Sequence, residues 1–63
     1  MKVSLPYDPT WQALTWAKRN CPSYITNDAD TETNIKEGYS FVTHINYYFG
    51  NENEALMFKL RWA

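Results

Sequence analysis

One cysteine, one histidine and two glycines are all that 63 residues contain of those types, and each shortage excludes something. A lone Cys21 cannot close an intrachain disulfide. One Cys and one His fall short of the four ligands that structural zinc takes, so neither a metal nor another cofactor is expected. With glycine only at Gly38 and Gly50, no glycine-rich loop is available to cradle a phosphate. The chain also lacks any apolar run near the roughly 18 residues of a membrane helix, and Pro6 interrupts the N-terminal stretch before a signal-peptide core could form. The expectation is a cytoplasmic protein with no membrane partner. Basic charge is sparse as well. Six Lys and Arg stand against seven Asp and Glu, a net charge of −1, and the cations are scattered, so nucleic acid is a poor fit as a partner.

What the chain does have is aromatic bulk, 17% of its residues. So short a chain buries only about 60% of its unfolded surface, so a few large rings must anchor the core. Each Phe, Tyr or Trp supplies roughly 150 to 250 Å² of surface for burial. Thin intrinsic stability makes a homodimer a reasonable accompaniment, since pairing covers surplus apolar area.

Read along its length, the sequence forms one domain, residues 1–63. Lys2 to Leu5 is β-prone. Asp8-Pro9 reads as a helix start, with Asp8 as cap and Pro9 in the first position, and the helix ends near Asn20 because Pro22 disfavours helical geometry at Cys21. Its apolar arc covers roughly 220°, so Trp16 either packs in the core or meets another chain. Ser23 to Asn27 predicts a short strand, and the polar run NDADTETNIKEG a surface loop. Tyr39 to Phe49 alternates as a strand. That pattern predicts Tyr39, Phe41, Ile45, Tyr47 and Phe49 on a buried face and Ser40, Val42, His44, Asn46 and Tyr48 on the other. After Gly50, Asn51-x-x-Glu54 offers a capping box for a helix to about Leu60. The ALMFKLRW ending also fits a strand, and the cap decides for the helix. The fold class is therefore α+β: a small antiparallel sheet of two to three strands packed against two helices.

Two stretches resemble known families. Gly38-Tyr39-Ser40-Phe41-Val42 resembles the RNP1 element of the RNA-recognition motif, with Glu37 inserted after Lys36 and His44 where an aromatic is usual. LPYDPTWQALTWA is similar to the segment leading from that family's first strand into its first helix. The resemblance implies that Tyr39 and Phe41 stack on single-stranded RNA bases. The tail Glu54-Ala55-Leu56-Met57-Phe58-Lys59-Leu60-Arg61-Trp62, with the aromatic-ended strand before it, resembles small uncharacterised proteins of tailed, myovirus-type phages. No site residue comes with that second resemblance. It implies a phage context, in which small proteins bind and disable a host protein or decorate the virion.

For catalysis the chain offers little. Cys21 falls at a helix C-terminus, which disfavours a thiolate, and nothing in the sequence places His44, the only imidazole, beside it. Asp28-x-Asp30-x-Glu32 opens like a calcium loop, yet Thr33 and Tyr39 stand where Gly and Glu belong. The same acids can instead meet a basic protein surface in place of nucleic-acid phosphates. The resulting expectation is a non-enzymatic protein that binds a host protein through Trp16, Asp28, Asp30, Glu32, His44 and Tyr48. RNA binding through Tyr39 and Phe41 is the alternative.

Overall fold

The computed structural model describes residues 1–63. Its elements run β1 (Lys2–Pro6), α1 (Gln12–Asn20), β2 (Tyr24–Asn34), β3 (Tyr39–Phe49) and α2 (Glu52–Trp62). The sheet order is β1-β3-β2, and β3 is antiparallel to both neighbours. The two outer strands are thus parallel to each other with β3 between them, the layout of a split βαβ unit. This is the α+β class that the sequence predicts, with three strands and two helices.

The central strand is rich in aromatic and β-branched residues, which suit a pleated, half-buried surface. Its C-terminal half carries the core. Ile45, Tyr47 and Phe49 are buried alongside Val3 and Leu5 of β1, and the two helices close over them with Ala13, Ala17, Ala55 and Phe58. Alanines on the inner helix faces leave room for the rings. Phe58, with no exposed surface, sits 4.9 Å from the Tyr47 ring, 5.0 Å from Phe49 and 6.2 Å from Trp16, centroid to centroid.

Beyond His44, where β1 ends opposite Pro6, β2 and β3 continue alone as a two-stranded arm. Five more residues of β3 at about 3.4 Å each carry it roughly 17 Å past the three-stranded part, which accounts for an elongated body of 42 × 21 × 17 Å. The arm turns at Ile35–Gly38. Gly38 takes φ 73°, which only glycine adopts without cost. Its N–H donates to the Asn34 carbonyl at 2.8 Å, and the Glu37 N–H donates to Asn34 Oδ1 at 3.1 Å.

Three expectations need correction. The acidic run 27–38 is not a loop. Residues through Asn34 form β2, because β3 supplies a backbone ladder that low strand propensity does not prevent. The first helix does not begin at Pro9. Asp8 closes a turn instead, accepting the Trp11 N–H at 3.1 Å on its carbonyl. Its carboxylate takes the Thr10 hydroxyl at 2.7 Å, the Thr10 N–H at 2.9 Å and the Gln12 N–H at 3.3 Å. The Thr10 hydroxyl above all holds that carboxyl below its ordinary pKa. Trp11 then sits in the left-handed region at φ 56°, a strain of order 1 kcal/mol or more for a bulky residue. Packing of its indole on the core and edge-on against Tyr7 offsets it. Lastly, only half of the capping box is made. Asn51 Oδ1 accepts the Glu54 N–H at 3.1 Å, while the Glu54 carboxylate turns away to accept the Ser23 N–H at 2.8 Å. That bond ties α2 to the start of β2, and the helix runs on to Trp62.

With a core this small, Phe58→Ala is expected to cost about 3 to 5 kcal/mol, most of the stability a short domain possesses. Urea denaturation followed by tryptophan fluorescence should show a largely unfolded variant without denaturant. A shift under about 1 kcal/mol would show that Phe58 is not the centre of the core.

Candidate functional site

One residue decides which side chains share a surface. His44 pairs with Asp30 and Val42 with Thr31, so Thr43 is an extra residue in β3 with no opposite number in β2. Such a bulge reverses the side-chain alternation of its strand. Thr43 is held on both sides: its carbonyl accepts the Tyr7 N–H at 3.1 Å, and its hydroxyl donates to the Asp30 carbonyl at 3.3 Å. Past it, Val42 turns to the helix side and packs against the core, while Phe41 and Tyr39 turn to the helix-free face. The strict alternation predicted from sequence put these residues the other way round. Tyr39 and Phe41 are 47% and 43% exposed and are not core residues.

The helix-free face can now be read by register. Along β3 it carries Tyr39, Phe41, His44, Asn46 and Tyr48, and along β2 Asn34, Glu32, Asp30 and Asp28 lie opposite the first four of them. β1 contributes Lys2, Ser4 and Pro6 opposite Tyr48, Asn46 and His44. Five of the six residues expected to bind a partner, Asp28, Asp30, Glu32, His44 and Tyr48, therefore share one surface. The two residues of the RNA alternative, Tyr39 and Phe41, share it as well. Trp16 does not. It lies between the helices, tilted on Phe58 and edge-on to Trp62 at 6.4 Å.

Asn46 organises the middle of this face. It is 3% exposed although no helix covers it, because neighbours on both adjacent strands close around it. Its amide N–H groups donate to Asp28 Oδ1 at 2.8 Å and Asp30 Oδ1 at 3.1 Å, and its carbonyl accepts the Ser4 hydroxyl. Carboxylates only accept, so the amide has one workable orientation. Tyr48 donates its hydroxyl to Asp28 Oδ2 at 3.0 Å, and that bond pushes the phenol above its ordinary pKa. Both aspartates are thus held in place by neutral donors. Sequence reasoning missed Asn46 as a site residue. Its one visible signal was a polar amide in the middle of an aromatic strand.

At the far end of the arm the face hollows into an open cleft of about 460 Å³, lined by Glu32, Asn34, Ile35, Lys36, Tyr39 and Phe41. The Tyr39 and Phe41 rings stand 5.9 Å apart, inclined at 38°. Glu32 lies directly across from Phe41. Two ring faces and a carboxylate are the groups that attract an ammonium or guanidinium.

Cys21 and His44 are separated by the sheet, the thiol in the helix-side core and the imidazole on the open face. Burial, and then the Glu54 charge, push the Cys21 thiol above its ordinary pKa. No three His, Cys, Asp or Glu side chains converge as metal ligands, and no helix is long and apolar enough to cross a membrane. No family model matches this chain, and neither a curated protein nor a solved structure is found similar to it.

Asn46→Ala removes one donor from each of Asp28 and Asp30 and leaves two neighbouring carboxylates unbridged. A loss of about 1 to 3 kcal/mol at neutral pH is the expected result in chemical denaturation. An unchanged midpoint would mean that the amide does not bridge the pair.

Proposed function

We propose that this protein is a non-enzymatic interaction module that binds a basic, extended segment of another protein on its helix-free sheet face. The observation that carries the reading is the side-by-side placement of an acidic column on β2 and an aromatic column on β3. Successive acids Asp28, Asp30 and Glu32 project from the same face at every second residue, about 6.8 Å apart. An extended chain with Lys or Arg at every second position repeats at the same interval. Phe41, Tyr39 and Tyr48 add ring faces for the cationic heads and apolar surface for their stems.

The edge of β2 supports the same choice of partner. Its outer side is unpaired along eleven residues, an invitation to strand addition. Two copies of β2 laid together would oppose like charges, which destabilises pairing, whereas a basic strand meets opposite ones. Single-stranded RNA finds Tyr39 and Phe41 exposed, as base stacking requires. Yet Glu32 and Asp30 stand beside them, and carboxylates repel the phosphates that stacking would bring close. The resemblance of the C-terminal tail to small tailed-phage proteins supports a partner in the host cell. In that context the acidic column takes the place of nucleic-acid phosphates on a basic host protein and blocks its surface.

Fluorescence anisotropy with labelled peptides of alternating Lys and Thr, alternating Glu and Thr, and single-stranded RNA tests the proposal. The basic peptide should bind, with affinity falling as salt rises. Glu32→Lys and Phe41→Ala should each weaken it by about tenfold or more. RNA that binds more tightly than the basic peptide and is lost with Tyr39→Ala would overturn the proposal in favour of the stacking alternative.

A further inference from the structure

The outward face of α2 is the wrong composition for a helix on the surface. Leu56, Met57 and Leu60 are 54%, 42% and 77% exposed. At 100° per residue these three and Asn53 span about 100° of the helix, centred opposite the buried Ala55 and Phe58. Each flank of this stripe is charged in the same way: an acid in the first turn and, seven residues later, a base in the last. Glu52 and Lys59 make one flank, Glu54 and Arg61 the other.

We infer that this face is the seat of a second copy of the same chain, whose α2 packs on it antiparallel about a two-fold axis. The charge pattern selects both the occupant and its direction. Antiparallel packing lays the acidic end of each helix along the basic end of the other, and residues on one flank meet the same flank of the copy. Glu52 then faces Lys59 of the partner copy twice over. Glu54, already bonded to Ser23, adds less. A parallel pair would set acid beside acid and base beside base. The helix dipoles also oppose one another favourably in the antiparallel arrangement.

Size sets the strength. Eleven residues of helix are about 16 Å long, which keeps the contact below the roughly 1,200 Å² of a standard interface, so the dimer is weak and exchanges rapidly. It forms on the helix side of the molecule, away from the sheet face proposed above, and rests on different residues.

Sedimentation velocity of the intact chain over a concentration series is the test. A dimer fraction rising through the micromolar range is the expected result, with Leu60→Glu weakening it by about tenfold or more. Glu52→Lys and Lys59→Glu should each dimerise poorly alone, and an equimolar mixture of the two should recover the dimer, because every cross-copy pair is then opposite in sign. A variant that has merely lost its fold is not rescued by mixing. A chain that stays monomeric to millimolar concentration would overturn the inference. So would a mixture no better than its components, or a dimer indifferent to Leu60→Glu. Binding of the unaltered chain to neutral lipid vesicles through this stripe, in place of self-association, would overturn it equally.

Discussion

At Thr43 the central strand carries one residue more than the strand beside it, and the alternation of side chains reverses there. The surface follows from that. Were Thr43 paired in an unbroken ladder, Tyr39 and Phe41 would continue the inward face of Ile45, Tyr47 and Phe49 into the arm, where no helix covers them. Val42 would then point away from the core. With the bulge, Val42 packs inward, and both rings join the acids of β2 on the opposite face. The bulge is satisfied by hydrogen bonds to β2 and to Tyr7, the residue after β1, so the reversal is a built feature of the sheet.

This division separates the packed core from the open face. The helix side holds the apolar core around Phe58, and every ring there is spent on packing. The open face holds polar groups at fixed spacing, and their order comes from the Asn46 bridge between Asp28 and Asp30. A buried amide whose donors and acceptor are all used specifies register, since a slip of one residue would strand it among apolar groups. It also keeps two like charges close together without a cation between them. In the binding mode proposed above, a basic partner would supply that cation.

Much of this was legible in the sequence, for identifiable reasons. The second helix follows from the Asn51 cap, whose side chain does accept the Glu54 N–H. The central strand follows from its alternation and from Gly50 at its end. Asp28, Asp30 and Glu32, expected in a loop, and His44 and Tyr48, expected on a strand, come to lie on one face of the sheet. Sequence alone assigns the acids to a loop, because Asn, Asp and Thr favour turns when no neighbour is known. β2 takes its strand form from β3, a tertiary effect that local propensity does not record. The bulge left no trace in composition, since Thr43 is as good a strand residue as any. The helix start was misplaced because Asp-Pro suits both a cap and a turn. What drew the chain to the turn was a hydroxyl two residues on, at Thr10.

The register of β3 against β2 is therefore the point on which the account stands, and cross-strand nuclear Overhauser effects in solution measure it directly. Backbone contacts joining Asp30 to His44 and Thr31 to Val42, with Thr43 paired to neither, are the predicted result. An unbroken ladder that pairs Thr31 with Thr43 and Glu32 with Val42 would contradict it, returning Tyr39 and Phe41 to the helix side and dissolving the acidic and aromatic face.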